Sequence, residues 1–110
     1  MIPRLKAGIF VRALIRRAEV AGAHAFVVRK GSEEAGAILL KLSTLDGTCT
    51  VLSQARRGDG ELVWVNPLGG ATSDEKARDW FDRQMKFDPD IWILEIEDRE
   101  GRTFVDEPVV

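Results

Sequence analysis

Apolar residues recur at helical spacing from Leu5 to Ala21. At about 100° per residue, Ala7, Phe10, Val11, Leu14, Ala18 and Ala21 share one face. Gly8, Arg12, Arg16 and Glu19 fall opposite, with Ile9 and Ile15 flanking the polar stripe, and Gly22 supplies a C-cap. The pattern then changes to short apolar runs broken by turn residues. It predicts strands at His24–Arg29, Ala37–Leu42, Thr48–Gln54 and Leu62–Val65, joined through Lys30-Gly31-Ser32, Leu45-Asp46-Gly47 and Gly58-Asp59-Gly60. Links this short predict three successive hairpins and an antiparallel four-stranded meander.

After the loop Asn66–Ala71, Thr72-Ser73-Asp74-Glu75 reads as a capping box with Thr72 as the cap. The helix it opens runs to about Lys86, with Ala77, Trp80, Phe81 and Gln84 on one face, and Asp88-Pro89 stops it. A fifth strand, Ile91–Glu97, turns at Asp98–Gly101 into a short return strand at Thr103–Val105. The fold class is α+β: a helix, the meander, a second helix and a final strand with its return.

Several strands are apolar on both faces: Phe26 and Val28 against Ala25 and Val27, Ile38 and Leu40 against Ala37 and Leu39, Leu62 and Trp64 against Val63 and Val65. An antiparallel sheet with one wet face alternates more cleanly. Either the two helices cover opposite faces, or the sheet curls, or a second subunit buries the remaining face. The last option makes a homodimer one expectation, because large bare apolar patches are rare on monomers.

Composition adds limits. A chain of 110 residues, 45% hydrophobic and 31% charged, is expected to form one domain over 1–110 with an ordinary core. The lone Cys49 cannot bridge internally and suits a reducing compartment. The longest uncharged run is too short to span a membrane. The apolar run after the mildly basic start is cut by Arg12, too early for a signal peptide, so the expected location is cytoplasmic. Net charge is −2, but residues 1–30 carry seven Lys or Arg and one acid, while 91–110 carry six acids and two Arg. The two ends can attract one another within a chain or across a dimer.

One set of residues resembles a known family. Leu5-Lys6-Ala7-Gly8, Ala13-Leu14-Ile15-Arg16-Arg17, Ala35-Gly36 and above all Phe87-Asp88-Pro89-Asp90-Ile91-Trp92 followed by Glu95-Ile96-Glu97-Asp98 are similar to short alphaproteobacterial proteins forming family 1491 of the domains of unknown function. The resemblance covers nearly the whole chain and implies a single domain in a bacterial cytoplasm. It implies nothing about activity.

Candidate chemistry is sparse. With one His, one Cys and no Tyr, a Cys–His nucleophile would have to join Cys49 to His24, and both read better as strand residues. No CxxC, HExxH, Walker or GxGxxG motif occurs, so no cofactor and no metal are implied. Gly69-Gly70 before a helix could cradle a phosphate, but Asp74 and Glu75 in the first turn would repel it.

The catalytic or cation-binding candidates are Glu95 and Glu97, about 7 Å apart on one strand face, with Asp88, Asp90 and Asp98 nearby. The recognition candidates are Arg12, Arg16 and Arg17, following Arg4 and Lys6, and Trp64, whose strand is apolar on both sides. Against nucleic acid stand a pI near 5.4, no aromatic on the arginine stripe, and Glu19 within it. The acidic C-terminal region is an alternative partner for these arginines. The favoured expectation is a non-catalytic cytoplasmic protein-binding or adaptor domain, possibly dimeric. A small enzyme or cation-binding protein is second, and a nucleic-acid binder third.

Overall fold

The computed structural model describes residues 5–110, so Arg4, which leads into the basic stripe, lies outside the described residues. The elements run α1 (Ala7–Val20), β1 (His24–Arg29), β2 (Ile38–Ser43), β3 (Thr48–Arg56), β4 (Leu62–Val65), β5 (Thr72–Ser73), α2 (Asp74–Phe87) and β6 (Trp92–Glu97). Helix α1 ends in the expected glycine cap. Gly22 adopts φ +91, its N–H reaches Glu19 O, and Ala23 N–H reaches Ala18 O at 2.9 Å. These are the two bonds of a Schellman motif.

The sheet is mixed, with strand order β1-β6-β2-β3-β4, and β5 pairs with β3. Two of the expected hairpins form, β2–β3 and β3–β4, both antiparallel. The first does not. Strand β6 enters between β1 and β2, antiparallel to β1 and parallel to β2.

The physical reason lies in burial. β2 and β6 are buried on both faces along nearly their whole length, whereas β1 is largely exposed, and strands buried on both faces belong at a sheet's centre. The link from β1 to β2 therefore steps over the start of β6 and clasps it. Ser32 N–H donates to Asp90 O at 3.0 Å, Trp92 N–H to Ala37 O at 2.8 Å, and the Trp92 indole N–H to Ser32 O at 2.7 Å. A Cβ on Gly31 or Gly36 would collide with the Asp90 carbonyl oxygen. Gly31, which reads as a hairpin residue, serves a close backbone approach instead.

Two further expectations change locally. Thr72 pairs with Cys49 in the β5–β3 ladder, so Ser73 takes the cap and accepts from Lys76 N–H at 3.1 Å. The third helical position is then a lysine, and no carboxylate reaches back to close a box. Thr103–Val105 is not a strand. Phe104 holds φ +60, a left-handed conformation that breaks extended structure.

The central strands β2 and β6 are covered on both faces within one chain, whereas β1 stays largely exposed. Ala7, Val11, Leu14 and Ala18 of α1 pack on Leu40, Leu42, Leu94 and Ile96, while Ala77 and Phe81 of α2 pack on Leu39, Val51, Ile91 and Ile93. Adjacent strand residues point to opposite faces, so the helices lie on opposite sides of the sheet. They are also offset, with α1 over β1 and β6 and α2 over β3 and β5. Gly8, expected on the polar stripe, is buried because the 30–37 link docks there. Gly8 N–H donates to Glu33 O at 3.0 Å, and a Cβ at Gly8 would strike the Glu33 carboxylate.

Candidate functional site

The carboxylates do not converge. Asp88 Oδ1 accepts from Asp90 N–H at 3.0 Å, which shapes the turn into β6, and the Asp90 carbonyl belongs to the clasp. Glu95 lies at the strand's middle with its side chain 15% exposed, 3.5 Å from Lys41 Nζ, and Lys41 also reaches Asp74 at 3.4 Å. Glu97 stands opposite His24. Asp98 binds Arg102 at 2.9 Å, and the Arg102 guanidinium holds the Asp98 carboxyl down to about 2. At about 3.3–3.4 Å per strand residue, Asp90 and Glu97 lie more than ~20 Å apart. Among the described residues no three His, Cys, Asp or Glu side chains gather as a metal would need.

Cys49 and His24 do not meet either. Cys49 is buried on β3, and His24 is exposed on β1, with β6 and β2 between them. Three strand spacings of about 4.8 Å separate them by roughly 14 Å. Burial pushes the Cys49 thiol up to about 11, which keeps it protonated and poorly nucleophilic. Trp64 is fully buried (0% exposed), its indole N–H donating to Glu107 Oε1 at 3.1 Å. It has no surface to offer a partner.

The arginines of α1 are the sequence-derived candidates that form a surface together, and two of the three are already engaged. Arg12 binds Glu33 at 2.7 Å, and this guanidinium holds the Glu33 carboxyl below its usual range. Arg17 donates from Nε to the Phe104 carbonyl at 3.1 Å and lies 3.7 Å from Asp106. The basic start thus meets the acidic end through Asp106, whereas Asp98 and Glu100 pair with Arg102.

Arg16 is exposed and has no ion-pair partner among the described residues. It stands between two shallow grooves. One, of about 370 Å³, is lined by Arg12, Ile15, Arg16, Glu19 and Val20. The other, of about 640 Å³, lies between α1 and the C-terminal segment and is lined by Ala13, Arg17, Phe104, Val105 and Asp106 together with Arg16 and Val20.

Both grooves therefore share a guanidinium and Val20, which is 80% exposed. Sequence reasoning did not single out Val20. Its signal was available: it follows Arg16 by one turn on the polar stripe, where an apolar residue has no core to join. Phe104 and Asp106 carried no comparable signal, because only the bend at Phe104 brings them to α1.

A family model described as "Protein of unknown function (DUF1491)" matches residues 5–106. A crystal structure of a DUF1491 family protein from Caulobacter crescentus CB15 is similar at 47% identity, with TM-score 0.91, covering 97% of this chain and 100% of that one. An NMR structure of a DUF1491 family protein from the same organism is 48% identical, with TM-score 0.87 and 96% coverage of both chains. The solution structure of A. tumefaciens protein Atu0922 is 34% identical, with TM-score 0.81, covering 96% of this chain and 95% of that one. No curated protein matches. Sequence and fold agree along nearly the full length, and the chain belongs to the DUF1491 family.

Proposed function

We propose that this domain is a non-catalytic, cytoplasmic protein-binding module, and that α1 takes an acidic, apolar-containing segment of a partner protein. The observation that carries this reading is the position of Arg16 and Val20 between the two grooves, a guanidinium with no ion-pair partner among the described residues beside an exposed valine. The domain's own Phe104-Val105-Asp106 lies against α1 with that chemistry, its acid near Arg17. A partner segment of the same kind would extend that contact across Arg16. Nucleic acid is the poorer fit, since Glu33 and Asp106 already take two of the three arginines. The helices cover both faces of β2 and β6, so what remains of the case for a second subunit is confined to β1.

The test uses two amphipathic synthetic peptides, one alternating leucine with glutamate and one leucine with lysine, and a short DNA duplex. Each is titrated into isotope-labelled protein while the amide resonances of Arg16 and Val20 are followed. The acidic peptide is expected to move both, and Arg16→Glu to weaken its binding by about tenfold. Silence with the acidic peptide, equal affinity in Arg16→Glu, or tighter binding of the duplex would each overturn the reading.

A further inference from the structure

The offset of the two helices leaves two quarters of the sheet to be covered by something else. On the α1 side the C-terminal segment fills the vacancy, with Phe104 and Val105 packed on the α1-side core and Glu107 and Pro108 bonded to Trp64 of β4. On the α2 side the corresponding quarter, over β1 and the end of β6, is open. His24 and Phe26 stack there at 5.2 Å, and neither they nor Val28 belong to the α2-side core.

The two sheet edges differ in the same sense. The edge of β4 is bonded by this chain, Trp64 N–H to Pro108 O and Val110 N–H to Trp64 O, both at 2.8 Å. Among the described residues β1 pairs only with β6, so no other described strand lies beside its outer N–H and C=O groups. Val27 and Val28 are exposed on it, Val28 by 54%. The register slips at Val28, leaving His24–Val27 as the regular stretch.

The charge of the open quarter chooses an occupant. Glu97 has no ion-pair partner among the described residues, and Glu95 shares the single ammonium of Lys41 with Asp74. The cations of β1 lie at its far end, where Arg29 donates to Pro89 O at 2.9 Å and Lys30 follows.

We infer that β1 is a docking edge for an extended segment of another protein, added to the sheet as a further strand, with alternating apolar and basic residues. Its backbone pairs with His24–Val27. Its lysines or arginines lie beside His24 and Phe26 and reach across β1 toward Glu97 and Glu95, while its apolar side chains lie on the opposite face beside Ala25 and the exposed Val27. Strand addition takes its affinity from main-chain bonds and its selectivity from alternate side chains. The edge shares no lining residue with the grooves of Arg16, so a molecule using both would join an acidic partner to a basic one.

The probe is a short synthetic peptide alternating valine and lysine, set against a valine–glutamate peptide and an N-methylated valine–lysine peptide. Amide hydrogen exchange of the full chain is the readout. At saturation the valine–lysine peptide is expected to slow exchange at His24–Val28 by about tenfold while leaving β4 unchanged, and N-methylation to abolish the effect.

Glu97→Lys should shift preference to the valine–glutamate peptide, and Arg16→Glu should change nothing, which separates this edge from the α1 groove. Unchanged exchange at millimolar peptide, or equal protection by both charge patterns, would overturn the inference. So would a doubled mass in sedimentation with β1 protected by the protein alone, since the occupant would then be a second copy.

Discussion

The two ends of the sheet begin as similar sequence and finish differently. His24-Ala25-Phe26-Val27-Val28-Arg29 and Leu62-Val63-Trp64-Val65 are both short, apolar on both sides and destined for an edge. At the β4 end a returning segment bonds the backbone, covers Trp64 and supplies Glu107 for its indole. At the β1 end a register slip interrupts the ladder and two valines stay exposed. The difference teaches that an apolar edge is not itself a sign of a partner. What matters is whether the same chain returns to cover it.

Breaking the sealed end should cost most. Trp64→Ala removes a fully buried indole and leaves Glu107 without its donor, so a loss of about 3–5 kcal/mol is expected in urea unfolding. A much smaller loss would mean that the C-terminal segment collapses onto the vacancy. Glu107→Ala keeps the ring and deletes only the indole's acceptor, with an expected cost of about 1 kcal/mol in the same assay.

Acid should loosen the same end. Arg102 binds Asp98 and lies 5.0 Å from the Phe104 ring, joining the β6 turn to the covering segment. The Asp98 carboxyl is depressed from 3.8 to about 2, so its stabilisation is complete above the unfolded value and is lost as pH falls toward the folded one. Melting temperature should therefore drop between about pH 4 and pH 2, and Asp98→Asn should flatten part of that fall. Further parts belong to Asp46, whose carboxyl is held at about 2 by hydrogen bonds from Thr44 and Thr48, and to Glu33, held below its usual range by Arg12.

The smallest effect is expected at the open end. Val28→Ser should change stability by no more than about 0.5 kcal/mol, since a surface residue outside the core has little to lose. A penalty comparable to that of Trp64→Ala would erase the contrast between the two edges.

Much of the fold is legible in the sequence, because its signals are local. The strands at His24–Arg29 and Leu62–Val65 match residue for residue, and the glycine cap of α1 sits where the pattern places it. What local signals cannot give is the neighbour of β1. Lys30-Gly31-Ser32 resembles a hairpin turn, yet Gly31 is needed for contact with Asp90, about sixty residues on. Apolar faces gave no clue either, since β1, β2 and β4 read as two-faced and two of these three lie at the edges.

The surface of α1 was half legible. Arg12, Arg16 and Arg17 are readable from helical spacing, but which of them stays unpaired depends on Glu33 and Asp106, both set by loops. The Phe87–Trp92 motif was the clearest family feature. Its Asp90-Ile91-Trp92 part clasps the β1–β2 link, which accounts for its residues without any chemistry. Phe87, 85% exposed, has no structural explanation.

The place of β6 also has a consequence for how the protein is made. Strand β6 sits between β1 and β2, so β1 has no strand neighbour among the described residues until about seventy further residues have been synthesised. Closing so long a loop is entropically costly and slow compared with forming the two hairpins. A nascent chain ending near Asp90 would hold β2, β3 and β4 with the central gap unfilled and β1 trailing, a state prone to pairing with other chains. Synthesis must pass β6 before this domain can exist as a folded unit.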